Sequence, residues 1–213
     1  ELPEVPSLAL GTGELSIYEM AGAYAAFVNK SRAVSPYYLR KVENAQGKVL
    51  EEFTPPKASK PAFSETTRQQ MLSMMQNVVN RGTAKRLRSS YGLKNELAGK
   101  TGTTQSNKDA WFVGVMPNLV AVTWVGHDDH RIGFKSTRVG QGANAALPIT
   151  AKLLQKMNRE ADFDSITKAS FGPMSDEVRN SLDCDPTKRD GFLKRLFTNP
   201  DKKKTKTFKE EKN

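Results

Sequence analysis

The 213-residue sequence predicts an α/β (α+β) fold in which helices flank an antiparallel sheet. Two apolar, β-prone runs, residues 110–115 and 119–125, are separated by only Met116-Pro117-Asn118. A connection this short forces the two strands to be antiparallel. Segments in which apolar residues recur at helical spacing lie before and after the two runs. One sheet with helices packed on its faces is the simplest arrangement of these elements.

The first predicted helix begins after Ser16 and ends near Asn29. Ser16 and Glu19 fit a capping box, in which each side chain accepts a hydrogen bond from the other residue's backbone N–H. Apolar residues then recur at helical spacing at Ile17, Met20, Ala21, Tyr24, Phe27 and Val28.

A short hairpin and a second helix are predicted next. The hairpin strands are Tyr37–Glu43 and Val49–Phe53, with a turn at residues 44–47. The helix is predicted from Thr66 to Asn80, and Gly82 suits its C-terminal end. Its apolar face consists of Met71, Leu72, Met75, Val78 and Val79.

The sheet and the helix that covers it complete the ordered part of the prediction. The segment that ends at Thr103 is predicted to be the strand beside residues 110–115. A last helix is predicted to begin near Pro148, because proline is favoured in a first helical turn. Its apolar residues are Ile149, Leu153, Leu154 and Met157.

Composition divides the chain into two parts. Residues 1–164 are predicted to belong to one domain, whereas residues 165–213 lack sustained periodicity and are predicted to be a weakly ordered extension with a disordered tail. The net charge is +10, and residues 188–213 hold ten Lys or Arg against four Asp or Glu, a surplus of six. The basic tail is therefore expected to be a solvated segment or to contact anionic lipid or wall polymer.

Several classes of function are disfavoured. No run of 18 apolar residues could span a membrane, and no aromatic-basic platform indicates nucleic-acid binding. The first residues lack a signal-peptide pattern and a starting Met, so we expect the chain to be the middle of a longer protein. The single cysteine, Cys184, cannot form an internal disulfide and is predicted to have no role.

The candidate functional motif is Lys100-Thr101-Gly102-Thr103-Thr104. A lysine ammonium supplies positive potential for a substrate carboxylate, and threonine hydroxyls can donate hydrogen bonds to it. Gly102 would let an extended peptide lie close to the strand and pair with its free edge. The backbone N–H of Thr103 could then donate to a developing oxyanion. Lys100 and Thr103 are thus the catalytic candidates, and residues 101–104 the substrate-binding candidates.

Five blocks of sequence, in a fixed order, resemble the class A penicillin-binding proteins, the bifunctional enzymes that build peptidoglycan. The strongest is 98–104, Ala-Gly-Lys-Thr-Gly-Thr-Thr, followed by Lys-Asp-Ala-Trp-Phe-Val-Gly at 108–114. The remaining four blocks are residues 6–15, 78–84, 124–129 and 142–148. The resemblance covers about residues 7–160. It implies the fold of serine β-lactamases and penicillin-binding transpeptidases, here incomplete, with residues 1–164 as the C-terminal portion of the transpeptidase domain.

The resemblance also implies a reaction. A serine would attack the D-Ala-D-Ala bond of a stem peptide and expel the last D-Ala. An amine of a second stem would then take the acyl group from the serine. β-Lactams would acylate the same serine. The implied parent protein carries a glycosyltransferase domain upstream, needs no cofactor, and is anchored at the extracytoplasmic (periplasmic) face of the cytoplasmic membrane. Its anchor would lie outside this chain, and the basic tail could assist membrane contact.

The sequence departs from the family in its nucleophile motifs. The family uses an S-x-x-K and an S-x-N besides the K-T-G, but this chain contains no S-x-N. Its one S-x-x-K, Ser165-Ile166-Thr167-Lys168, lies downstream of the K-T-G, whereas the family's nucleophile lies upstream. We therefore reject Ser165 as the nucleophile and expect the chain alone to be inactive, with the serine on the missing N-terminal part.

Alternatives remain open at this point. The same fold serves D,D-carboxypeptidases and β-lactamases, and a non-catalytic interaction module with a basic tail is a different class of protein. The cluster His127-Asp128-Asp129-His130 has metal-ligand residue types, but polar residues are common in a loop after a buried strand. We expect no metal there. Asp109 and Trp111 are expected to shape the hairpin and the core rather than to react.

Overall fold

The sheet is the centre of the fold. The computed structural model describes residues 2, 4–11, 13–57, 59–129 and 131–182. Three antiparallel strands lie in the order β3-β4-β5, namely β3 (Ala98–Thr103), β4 (Ala110–Met116) and β5 (Leu119–Val125). The registers pair Gly102 with Trp111 and Trp111 with Trp124. The predicted fold class, hairpin and third strand are confirmed.

Helices cover both faces of this sheet, and their caps follow the sequence. Ser16 and Glu19 form the predicted capping box before α1 (Ile17–Ala25), and the Ser64 side chain caps α2 (Glu65–Asn80). The other helices are α3 (Arg86–Ser89), α4 (Thr137–Gly140), α5 (Gly142–Ala145), α6 (Leu147–Met157), α7 (Asp164–Thr167) and α8 (Asp176–Ser181). In the described part of the chain no helix is long and apolar enough to cross a membrane.

Two apolar clusters sandwich the sheet. On one face Phe112 and Met116 pack with Leu147 and Leu154 of α6. On the other face Val113 and Val115 of β4 pack with residues of α1 and α2, among them Leu72 and Met75. Burial of both faces of β4 explains why its sequence is a continuous apolar run rather than an alternating one.

Three details differ from the sequence predictions. Helix α1 ends at Ala25 rather than near Asn29, since the next residues form tighter turns in which Phe27 N donates to Tyr24 O at 3.1 Å. The first hairpin strand, β1 (Lys41–Glu43), is shorter than predicted and pairs with β2 (Val49–Glu52). Ile149 and Leu153 lie on the exposed face of α6, at 53% and 47% exposure.

Residues 165–182 are folded against the domain, although no periodicity predicted it. Asn95 Nδ2 donates to Thr167 O at 2.7 Å, and the Glu96 carboxylate accepts from Ser170 Oγ at 2.9 Å. Val178 of α8 is fully buried. These polar contacts come from residues distant in sequence, so a local pattern cannot show them. The boundary at residues 164 and 165 stays a prediction, and the basic tail with Cys184 lies outside the described residues.

Candidate active-site strand

Strand β3 changes character along its length. Ala98 is fully buried and Gly99 is buried, whereas Lys100 and Thr103 are exposed. The segment before the strand is fixed by Arg88, whose Nη1 donates to Leu93 O at 2.7 Å and to Asn95 O at 2.8 Å. Burial lowers the pKa of the Arg88 guanidinium. The motif therefore begins in the core and emerges at the surface.

The outer edge of β3 carries the backbone groups of the motif. Thr104 N donates to Asp109 O at 3.1 Å, so the backbone groups of residue 104 point toward the β4 side of the strand. Because alternate residues of an antiparallel strand point to opposite edges, the backbone N–H and C=O of Thr101 and Thr103 point away from β4. In the described ranges no strand pairs with that edge. The edge therefore has the geometry that addition of an extended peptide requires.

Lys100 places its charge at this edge. Its Nζ donates to Thr101 O at 2.6 Å, so the ammonium lies beside the outward-facing carbonyl. The neighbouring Thr103 N–H belongs to the same edge. A positive charge and a free N–H on one edge can stabilise a carboxylate or an oxyanion.

Helix α5 holds the Thr103 side chain. Gly142 N donates to Thr103 Oγ1 at 3.1 Å, which occupies a lone pair and leaves the hydroxyl hydrogen free to donate. A Cβ at Gly142 would lie 2.2 Å from Trp111 O and 2.5 Å from Gly102 O. Only glycine allows this approach, and sequence reasoning treated Gly142 merely as part of a family block.

Thr104 and Asp109 close the connection between β3 and β4. Thr104 Oγ1 donates to Asp109 Oδ2 at 2.8 Å, and Trp124 Nε1 donates to Asp109 Oδ1 at 2.9 Å. A Cβ at Gly126 would lie only 2.7 Å from Asp109 Oδ1. The Thr104 hydroxyl is thus engaged in bracing the loop, and its substrate-binding role stays a prediction.

Gly102 is constrained by the sheet as well as by any substrate. A Cβ at this position would meet Trp111 Cβ at 3.0 Å on the neighbouring strand. Trp111 in turn faces Trp124, with 6.3 Å between the ring centroids. The glycine therefore has a packing reason in the fold beside the predicted approach of a peptide.

Ser165 and Lys168 lie far from the motif. Ser165 O accepts from Asn118 Nδ2 at 2.9 Å, which places α7 at the β4–β5 turn. Thr103 pairs with Ala110 at the opposite end of β4, about 20 Å away along seven strand residues. Lys168 Nζ is bound to Asp164 Oδ2 at 2.7 Å. This placement supports the rejection of Ser165 as the nucleophile.

Polar groups of the loop after β5 form hydrogen bonds within the loop. His127 Nδ1 accepts from Asp129 N at 2.9 Å, and Asp129 Oδ2 pairs with Arg131 Nη2 at 2.6 Å. No group of three or more His, Cys, Asp or Glu within the described ranges is placed to hold a metal ion. The candidate His130 lies outside those ranges.

Comparison with known proteins adds three similarities. The chain is 38% identical over 152 residues to penicillin-binding protein 1A of Neisseria lactamica, covering 70% of this chain and 18% of that relative. It is 36% identical over 161 residues to penicillin-binding protein 1A of Aquifex aeolicus, and the match covers 74% of this chain and 21% of that relative. The crystal structure of penicillin-binding protein 1A from Haemophilus influenzae superposes with a TM-score of 0.65 at 26% identity. The superposition covers 75% of this chain and 29% of that structure.

The chain thus spans about a fifth of the length of these curated relatives. Residues 5–154, more than two thirds of it, match the family described as the penicillin binding protein transpeptidase domain. The match includes β3 with its lysine and threonines, and the fold of the solved relative has the same arrangement of helices and antiparallel sheet. The chain belongs to the penicillin-binding protein transpeptidase family.

Proposed function

We propose that this chain supplies the substrate-holding strand of a serine D,D-transpeptidase that cross-links peptidoglycan stem peptides. The observation that carries the proposal is the outer edge of β3. There Lys100 Nζ lies 2.6 Å from Thr101 O, beside the free Thr103 N–H and the threonine hydroxyls. These donors suit a stem peptide, or a β-lactam, that pairs with the edge and presents a carboxylate.

The nucleophile is proposed to come from upstream of residue 1. Ser165 is separated from the motif by the length of β4, and the relatives are about four times as long as this chain. The same upstream part is proposed to carry the glycosyltransferase domain and the anchor. The complete protein would then act at the extracytoplasmic face of the cytoplasmic membrane.

Acylation by a fluorescent penicillin tests the proposal. The full-length protein should be labelled covalently, and Lys100→Ala should slow labelling by about 100-fold, as loss of a charge-stabilising group does elsewhere. Lys94→Ala is the matched control, because it removes an equal charge from an exposed lysine before β3. The isolated 213-residue chain should show no labelling.

The outcomes separate the rivals. Labelling of the isolated chain that disappears in Ser165→Ala would overturn the upstream nucleophile. Failure of the full-length protein to react would favour an interaction module. Rapid release of the label by water, without transfer to an added amine acceptor, would identify a carboxypeptidase or β-lactamase instead.

A further inference from the structure

Thr83 touches the motif from outside the strand. It lies in the turn between α2 and α3, and its Oγ1 is 2.7 Å from Thr101 Oγ1. We infer that Thr83 is a positioning residue for substrate-carboxylate recognition, because it orients the Thr101 hydroxyl. The inference rests on the proposed transpeptidase function and adds a residue that K-T-G-T does not contain.

The backbone on both sides of Thr83 is fixed. A Cβ at Gly82 would lie 2.8 Å from Val78 Cα, so the chain folds back tightly on the end of α2. Ala84 is fully buried, and its N donates to Val78 O at 3.0 Å. Thr83 itself is exposed, so its side chain points outward from a rigid turn toward the strand edge.

A ring of contacts sets the distance between this turn and β3. From α3, Arg86 Nη1 donates to Asn144 Oδ1 at 2.5 Å and to Ala143 O at 3.3 Å. From α5, Gly142 N donates to Thr103 Oγ1 at 3.1 Å. The contact between Thr83 and Thr101 closes the ring. The turn and β3 are therefore connected twice, directly through the two threonine hydroxyls and indirectly through α3 and α5.

The direction of the hydrogen bond follows from the ligand. A carboxylate accepts hydrogen bonds and donates none, so Thr101 must direct its own hydrogen toward it. The Thr83 hydrogen is then the one that lies between the two oxygens. A hydroxyl that already accepts a hydrogen bond is a better donor, because the two bonds polarise each other. Thr83 therefore both fixes the Thr101 rotamer and strengthens its bond to the carboxylate.

The test compares two penicillins in the full-length protein. With the free carboxylate, Thr83→Val should lower the second-order acylation rate about tenfold, whereas Thr83→Ser should remain within about threefold. With the penicillin methyl ester, Thr83→Val should change the rate by less than about twofold, since the charged acceptor is absent. In a Thr101→Val background, adding Thr83→Val should lower the second-order acylation rate by less than about twofold, because the two residues act as one unit.

Each alternative result has a meaning. Equal losses with acid and ester, or fully additive losses in the double variant, would overturn the inference and leave Thr83 with a structural role. Unchanged acylation in both Thr83→Val and Thr83→Ala would also overturn it, and Thr83→Ala covers the case in which valine disturbs the turn. A wild-type protein that no penicillin acylates would refute the proposed function instead.

Discussion

The two halves of strand β3 are held by different forces. The first half, Ala98 and Gly99, lies in the core, where a Cβ at Gly99 would meet the Phe112 ring at 3.1 Å. The second half, Thr101–Thr103, is held through hydroxyl contacts to the α2–α3 turn and to α5. Packing fixes where the strand lies, and hydrogen bonds fix where its donors point.

This difference teaches how the edge of a strand, here the one proposed to bind substrate, can be exposed and still rigid. An exposed strand end with no side-chain contacts would fray, because few interactions are broken when it opens and the free energy of local opening is therefore low. Here three separate elements, the α2–α3 turn, α5 and the β3–β4 loop, bind successive threonines. Substitutions in the first half should therefore reduce stability, and substitutions in the second half should reduce acylation more than stability.

The largest expected effect is on the packed half. Phe112→Ala should lower the free energy of unfolding by about 4 kcal/mol, because the side chain is fully buried beneath Gly99. Denaturant titration of the purified chain, followed by tryptophan fluorescence, measures it. Phe163→Ala, at a residue that is 39% exposed, is the matched control and should change it by about 0.5 kcal/mol or less. A loss below about 1 kcal/mol at Phe112 would show that packing does not fix this half.

An intermediate effect is expected at the end of the hydrogen-bonded half. Asp109→Ala removes the acceptor of Trp124 Nε1 and Thr104 Oγ1 and should cost about 2 kcal/mol of stability. Penicillin acylation of the full-length protein should fall about 100-fold, because the loop that ends β3 loses its brace. The control is Asp128→Ala, at an exposed carboxylate in the loop after β5, which should change neither the stability nor the acylation rate. A stability loss with unchanged acylation would contradict the division of labour between the halves.

The sequence predicted the packed half better than the hydrogen-bonded half. Apolar periodicity and the capping box at Ser16 located α1, α2 and the β4–β5 hairpin, because these signals are local. The motif located β3, the strand that is proposed to hold the substrate. Two partners of its threonines, Thr83 and Gly142, could not be assigned, because their contacts cross 18 and 39 residues of sequence. Contacts of that kind have no period to detect.

The resemblance contained a usable signal for those partners. Thr83, Asp109, Trp124 and Gly142 all fall inside blocks that resemble the family, and each of them makes a hydrogen bond with β3 or within its loop. The packing of residues 165–182 had no such signal, since Asn95 and Glu96 bind it through isolated polar contacts.

The smallest effect is expected at the start of α2, the helix that packs against the first half of β3. Hydrogen bonds from Arg68 lower the pKa of Glu65 from 4.5 to about 2. The ion pair therefore contributes stability above about pH 4.5, and the contribution is lost as the pH falls toward 2. The Glu65 side chain is 57% exposed, so solvent screens the pair.

Glu65→Gln should consequently lower the free energy of unfolding by less than about 1 kcal/mol at neutral pH. The difference from wild type should shrink on acidification and be absent near pH 2, where the Glu65 carboxylate becomes protonated. Urea titrations of the chain between pH 2 and 7 measure it, with Glu14→Gln as the control at an exposed carboxylate. A difference that grows as the pH falls would reverse the sign of this linkage. An effect as large as that of Phe112→Ala would show that ion pairs, rather than packing, hold the core side of the strand.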